Sequence, residues 1–427
     1  MNNQDQLSSH WLRTFVFIWV GQAFSMLGSM LVQFSLVWWL TQKTGSATIL
    51  ATASLVAYLP MVFLGPFAGA IVDRNDRKRI MILSDASIAL TTLGLVVIAW
   101  LGILAPWHIY IAMFIRSLGQ TFHSPAMTAS TTLLVPEKHY ARVSGVNQAL
   151  AGAMNIIAPP IGALLIGAID LQWILSIDII TAVLAITPLL FVTIPNPVRA
   201  AVAAESKNLI ASLLIDIKQG YLYIYRWKGL FIVIMFALSI NLLINPAFSL
   251  LPLLVTGHFQ GTALHFSYLE SAIGIGFVVG GLGLGAWGGF KRRIVTATLG
   301  IGGMGVGALL LGFAPAHLFP MAVAGVFVLG VMNPIANGPL FALLQSRVEP
   351  SYQGRVTTVV NSLATGLTPL SLAVAGPLSD KYGIQTWFVL GGVLCLIIPV
   401  LMLTIRPVVA LDDPADPVTV ETAPGVG

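Results

Sequence analysis

Four charged residues stand inside long apolar runs, where charge is costly: Arg116 in Phe114-Ile-Arg-Ser-Leu-Gly119-Gln120, and the acids Asp85, Asp178 and Glu270. A charge taken out of water must pair, face water or exchange a proton, so such residues mark ion or substrate pathways. Their chemistry is ion pairing and proton exchange, not bond making. At 1.5 Å per residue Arg116 lies about 12 Å inside its run, too deep for its side chain to reach the surface easily. Asp178 and Glu270 fall in the same depth band as Arg116. Either can serve as its partner, and the other is then the better proton carrier. Asp85 is only about one and a half turns from Arg79, so it can instead pair with the basic cluster beside it.

Other chemistries lack their residues. Cys395 is the one cysteine, which leaves neither a disulfide framework nor a thiolate metal site. His108, His123 and His265 show no paired metal-ligand spacing, so no metal is expected. The glycine run Gly300-Ile-Gly-Gly-Met-Gly sits in an apolar stretch with no preceding strand, and no Gly-Lys-Ser/Thr phosphate loop occurs. Neither an enzyme nor a nucleotide-driven pump is expected, and no organic cofactor.

The elements that must position these residues follow from composition. The 427 residues are 57% hydrophobic and 9% charged, against roughly 25% charged in soluble domains. That leaves too few charges to cover a soluble protein. A bilayer core needs about 20 apolar residues per helix, and this length recurs near 14–41, 48–72, 80–104, 108–134, 141–168, 171–194, 229–256, 265–290, 294–313, 318–346, 354–379 and 384–405. The fold class is therefore an all-α, multi-pass membrane protein of twelve helices. Of the 21 basic residues, all but Lys43, Lys381 and Arg116 fall on one side of this topology. The positive-inside rule then puts both termini in the cytoplasm. The net charge of +5 reflects topology and not a nucleic-acid face. Trp38, Trp39 and Trp107, near span ends, read as interfacial belt residues.

The chain also repeats. Gly69 and Gly283 are 214 residues apart, as are Arg77-Lys78-Arg79-Ile80 and Lys291-Arg292-Arg293-Ile294, and Pro125 and Pro339. Arg142-Val143 and Arg355-Val356 repeat at 213. Two six-helix bundles, residues 1–198 and 229–406, are expected to be related by a pseudo-two-fold axis along the membrane normal. The linker 199–228 carries Ile210, Leu213, Leu214, Ile217 and Tyr221 at helical spacing, which reads as an amphipathic helix on the cytoplasmic surface. The acidic, Pro- and Gly-rich tail 407–427 reads as disordered.

The loop Gly69-Ala-Ile-Val-Asp73-Arg74-Asn-Asp76-Arg77-Lys78-Arg79 resembles the signature loop of the major facilitator superfamily. The resemblance implies a conformational latch of Gly69, Asp73, Arg74, Arg77 and Lys78, in which Asp73 pairs across the bundle interface. Asp76 stands where that family usually has glycine, and Trp287 replaces the acid in the second copy, so the latch is one-sided. The Arg116 segment resembles the family's arginine-bearing fourth helix. Gly152, Pro159, Pro160 and Gly162 form a degenerate version of its antiporter-type fifth-helix motif, with Ala158 in place of glycine. Because first and seventh helices line the central path in this family, Gln22, Asn241 and Asn245 are the substrate-cavity candidates.

Trp19-Val-Gly-Gln22-Ala, Lys43-Thr-Gly-Ser, Phe122-His-Ser-Pro125-Ala and Leu133-Leu-Val-Pro-Glu137 extend the resemblance to the macrolide-efflux branch of drug:proton antiporters. It implies alternating-access export of a small amphipathic drug driven by protons, in a monomer within a bacterial cytoplasmic (inner) membrane. The alternative is an exporter of a siderophore or another endogenous amphipathic metabolite with the same fold and coupling.

Overall fold

A computed structural model describes residues 11–192 and 209–412. Long helices follow one another with short joints: α1 Trp11–Thr44, α2 Ala47–Arg74, α3 Arg77–Trp100, α4 Pro106–Leu134, α5 Tyr140–Ala168 and α6 Leu171–Phe191. After the linker come α7 Leu209–Arg226, α8 Lys228–Ser249, α9 Ala263–Trp287, α10 Arg293–Gly312, α11 Phe319–Arg347, α12 Pro350–Tyr382, α13 Gln385–Thr404 and the short α14 Arg406–Val409. Among the described residues, eleven helices are long and apolar enough to cross a membrane. The exception among the expected twelve is α4. It is 29 residues long, but Arg116, Ser117, Gln120, His123 and Ser124 lower its hydropathy and line a cavity instead of facing lipid.

Two sets of six helices pack separately. In the first set α1 lies on α5 and α6, and α4 on α2 and α3; in the second α11 lies on α9 and α10, and α8 on α12 and α13. Between the sets α2 meets α12 and α5 meets α9. At the end away from the basic loops, one apolar core joins both sets, running from Leu36, Trp38 and Leu50 to Leu250, Phe266 and Leu372. Trp38, 2% exposed, belongs to this core and not to an interfacial belt, whereas Trp107 is 56% exposed. At the basic-loop end the cores stay within one set each. Ile18, Met81 and Leu189 cluster in the first, and Ile294, Ile398 and Leu411 in the second. The molecule is sealed at one end and parted at the other.

The joint and tail differ from their sequence patterns. Residues 193–208 lie outside the described residues, and α7 begins at Leu209. Its last turns bury Gly220, Tyr223 and Ile224, whereas Tyr221, on the expected apolar stripe, is 47% exposed. Tyr223 stacks on Tyr352 at 4.9 Å, and α7 packs along α12, so contact with the second bundle selects the buried face. The reading of a disordered tail from residue 407 is corrected: Val408 and Leu411 are buried, and Asp412 Oδ2 accepts a 2.7 Å hydrogen bond from the Ile294 backbone N–H. Apolar contacts and a helix cap outweigh the loop-like composition there. Residues 413–427 lie outside the described residues.

Candidate functional site

A cavity of about 880 Å³ lies between the two bundles, lined mostly by α1 to α5. The second bundle contributes Phe248, Ser249, Pro252, Phe266 and Glu270. Phe34 of α1 stacks on Phe266 of α9 at 5.0 Å, with Trp38 behind at 6.1 Å, which forms the floor on the sealed side. Beyond this floor Asp380, near the end of α12, binds the first turn of α2. It accepts from the Ala47 and Thr48 backbone N–H groups at 2.7 and 3.1 Å and from the Thr48 and Ser46 hydroxyls at 2.6 and 3.2 Å. Orphan N–H groups at a helix N-terminus favour an anion, so this contact ties one bundle to the other.

The buried charges sort into two sites. Arg116 Nη1 lies 2.5 Å from Asp178 Oδ2 and 2.6 Å from Thr92 Oγ1, joining α4 to α6 and α3. The Ser29 hydroxyl donates to Asp178 Oδ1 at 3.0 Å, bringing in α1. Arg116 is 8% exposed and Asp178 1%. Four helices thus share one neutralised pair. Asp178 is the partner that Arg116 requires, which leaves Glu270 in the cavity wall without a hydrogen bond or ion pair to any described residue.

Asp85 does not pair with the basic cluster. Its side chain turns inward, accepting from Gln22 Nε2 at 3.1 Å, and its Oδ1 lies 3.4 Å from His123 Nε2. Both residues are buried at 4% and 8% exposure. Helix geometry explains this: Arg79 lies on the exposed side of α3, whereas Ser84, Asp85, Ile88 and Thr92 share its buried face. His123 is the site residue that the sequence reading missed. It shares one face of α4 with Arg116 and Gln120 at i, i+4 and i+7, a spacing that could have found it.

The latch residues are engaged within the first bundle. Arg77 Nη2 pairs with Asp73 at 3.1 Å and its Nη1 donates to the Ala129 carbonyl at 3.0 Å, while Lys78 Nζ donates to the Leu190 and Val192 carbonyls at the end of α6. Lys78 thereby caps the carbonyl end of that helix. The Asp73 side chain is 67% exposed and does not cross to the other bundle in this conformation. Arg74 is exposed and Gly69 has open space where a Cβ would stand. Asp76 is the N-cap of α3 at φ −68°, accepting from the Arg79 N–H at 3.1 Å, so the turn needs no glycine.

On α5, Pro159 and Pro160 lie within a continuous helix. Proline has no N–H, so Pro160 leaves the Ile156 carbonyl without its helical donor. Ser271 of α9 supplies one at 2.9 Å. Pro159 lines the cavity, Gly162 lies against the Phe34 ring, and Gly152 faces Val278 of α9. Gly152 and the Ile156 carbonyl thus belong to the seam between bundles, while Gly162 packs within the first bundle. Of the three cavity candidates only Gln22 reaches the wall. Asn241 donates to the Ala237 carbonyl and Asn245 to Asn241 Oδ1 along α8, which meets the cavity one turn further on, through Phe248 and Ser249.

The sequence matches the Major Facilitator Superfamily over residues 18–370. The chain belongs to that superfamily. It is 33% identical to macrolide efflux protein A of Streptococcus pyogenes over 404 residues, covering 95% of this chain and 98% of that one. It is 27% identical to the multidrug efflux pump Tap of Mycobacterium tuberculosis over 362 residues, covering 82% and 83%. Its fold is similar to that of a D-xylose–proton symporter, with a TM-score of 0.68 at 13% identity over 93% of this chain and 99% of that one. A POT family transporter gives 0.65 at 12% identity over 93% and 96%. Both likenesses are of fold.

Proposed function

We propose that the chain exports bulky amphipathic drugs, macrolides among them, by proton-driven antiport with alternating access. The observation that carries this reading is Glu270: a carboxylate in the wall of an 880 Å³ cavity, unpaired because Asp178 has taken Arg116. The volume lies at the upper end of small-molecule sites, which suits a bulky ligand. Met26, Met30, Met61, Met113 and Met127 line it together with Tyr58 and Trp19. Flexible thioethers adapt to varied apolar shapes, which favours breadth over strict selection. Both the macrolide and the multidrug relatives agree with this breadth.

In this scheme the basic loops face the cytoplasm of a bacterial inner membrane, as the positive-inside rule demands. Drug enters the parted end, the bundles rock about the cavity, and a proton from outside binds Glu270 to bias the return. A ligand can shift that equilibrium only through its differential affinity for the two states. The monomer suffices, because the cavity lies within one chain, and no cofactor takes part.

The test is efflux from proteoliposomes with an imposed pH gradient, using a panel of labelled macrolides and other amphipathic compounds with and without a protonophore. Glu270→Gln is expected to abolish proton-linked efflux while leaving membrane insertion unchanged. Unchanged efflux removes Glu270 from the mechanism. Flux of an iron chelator or another metabolite in place of the drugs would replace the substrate class.

A further inference from the structure

We propose that Asp85 and His123 form a second proton-binding site in the cavity, separate from Glu270 and on the side of the basic loops. This rests on the antiport reading above. Three observations meet here. His123 Nε2 is buried and has no hydrogen-bond partner. Asp85 Oδ1 stands 3.4 Å from it, close enough for an ion pair yet outside hydrogen-bond alignment. Both side chains line the same cavity.

With a bare Nε2, this geometry sets a lone pair against a carboxylate oxygen, two acceptors face to face. A proton on Nε2 turns them into a charge-assisted donor and acceptor. A small rotation of the imidazole then closes the hydrogen bond. Gln22, donating to the other carboxylate oxygen at 3.1 Å, holds Asp85 in place for this. The site therefore has room for one proton. Binding forms the Nε2–H bond, release to water breaks it, and no other bond changes.

The neighbouring groups leave this role to the pair. The cavity wall carries Tyr58 from α2, Asp85 from α3, Arg116 and His123 from α4 and Glu270 from α9, with uncharged Gln22 and Asn147 from α1 and α5. Asp178 of α6 is bound to Arg116. Arg77, at the start of α3, is held by Asp73 and the Ala129 carbonyl. Arginine does not give up its proton in a protein, so the Arg116–Asp178 pair keeps a constant charge. Histidine changes charge in the physiological range. Position separates the two proton sites as well. Asp85 lies eight residues into α3 from the basic-loop end, about 12 Å, and Glu270 seven residues into α9 from the sealed end, about 10 Å. One site faces the parted end and the other sits by the seal.

The experiment is a pH titration of the full chain in lipid nanodiscs with 15N-labelled histidine, comparing the wild type with His123→Gln, Asp85→Asn and Glu270→Gln. One imidazole signal, absent in H123Q, is expected to change with pH. Its midpoint should move by about one unit in D85N and stay in place in E270Q. If H123Q does not insert, a variant that keeps His123 and replaces the other six histidines assigns the signal. A His123 signal that does not titrate, or has the same midpoint in D85N, overturns the site whatever E270Q does to efflux. A signal that depends on Asp85, together with intact efflux in E270Q, keeps the site and removes Glu270. In proteoliposomes the loss of His123 should flatten the dependence of efflux on pH at the basic-loop side. An unchanged profile overturns its part in the cycle.

Discussion

The two bundles repeat one backbone plan with different chemistry. The first holds a buried ion pair, Arg116 with Asp178, and a second acid, Asp85, beside His123. In the second bundle the stretch of α11 that corresponds to Arg116, Val328-Leu329-Gly330-Val331, has no charge, and Gly391 stands 213 residues after Asp178. There close approach replaces electrostatics: a Cβ on Gly330 would collide with the Ile273 carbonyl. The repeated loops differ too. Asp76 caps α3 from the adjacent residue, whereas α9 ends at Gly288 with φ 77° and the cap of α10 comes from Asp412, 118 residues away. As a result α3 begins at Arg77 but α10 only at Arg293. Arg77 donates to the Ala129 carbonyl, and the matching contact to Ala342 is made by Arg293, which also meets Ser346. A duplicated sequence thus preserves helix order while the charged contacts slide along it.

The contrast can be broken most severely at the ion pair. Arg116→Ala leaves Asp178 buried without its counter-charge, and should cost about 3–5 kcal/mol, read as a lower melting temperature of the detergent-solubilised protein. Arg116→Lys should recover part of the loss. In the second bundle, Leu411→Ala removes a side chain from the core that the tail seals, a loss of about 2–4 kcal/mol by the same assay. Equal stability of L411A and wild type would mean that the tail is dispensable to that bundle. Asp380→Ala removes the acceptor that ties α12 to the start of α2. It should shift the sealed-to-open balance by about 1–3 kcal/mol, seen as longer spin-label distances between those helices at the sealed end. The smallest effect is expected at Asp76→Ala, about 1 kcal/mol for a lost N-cap. Asp412→Ala, which loses the cap of α10, allows a direct comparison of a local with a distant cap.

The helices were legible because their signal is local. Apolar runs of span length placed the helices, the more polar α4 among them, within a few residues of their observed ends, except that the run read as 229–256 overshoots α8, which stops at Ser249 and is followed by a short α turn, Leu251–Leu253, and a π turn, Leu254–His258. Arg116, Asp178 and Glu270 stood out because charge in an apolar run is rare whatever surrounds it. Which acid takes the arginine was not legible, since Asp178 and Glu270 have similar depth and differ only in which bundle carries them. His123 shares helical spacing with Arg116 and Gln120, but that spacing does not say what it meets; for Asp85 the sequence left both Arg79 and the pathway open, and the buried face of α3 decides for the cavity. Asn241 and Asn245 were named from the helix that bears them, but rotation of α8 directs them along their own helix.

By itself the sequence determined the membrane environment, the helix count and the short list of costly charges, which follow from transfer free energy summed along the chain, and the duplication, which shows in residues repeated at a fixed offset. The tertiary structure alone decided the pairing of Arg116 with Asp178, the isolation of Glu270, the meeting of Asp85 with His123, and the end at which the bundles close. Those outcomes depend on the rotation and approach of helices far apart in sequence. Packing sets such angles, and no local periodicity encodes them.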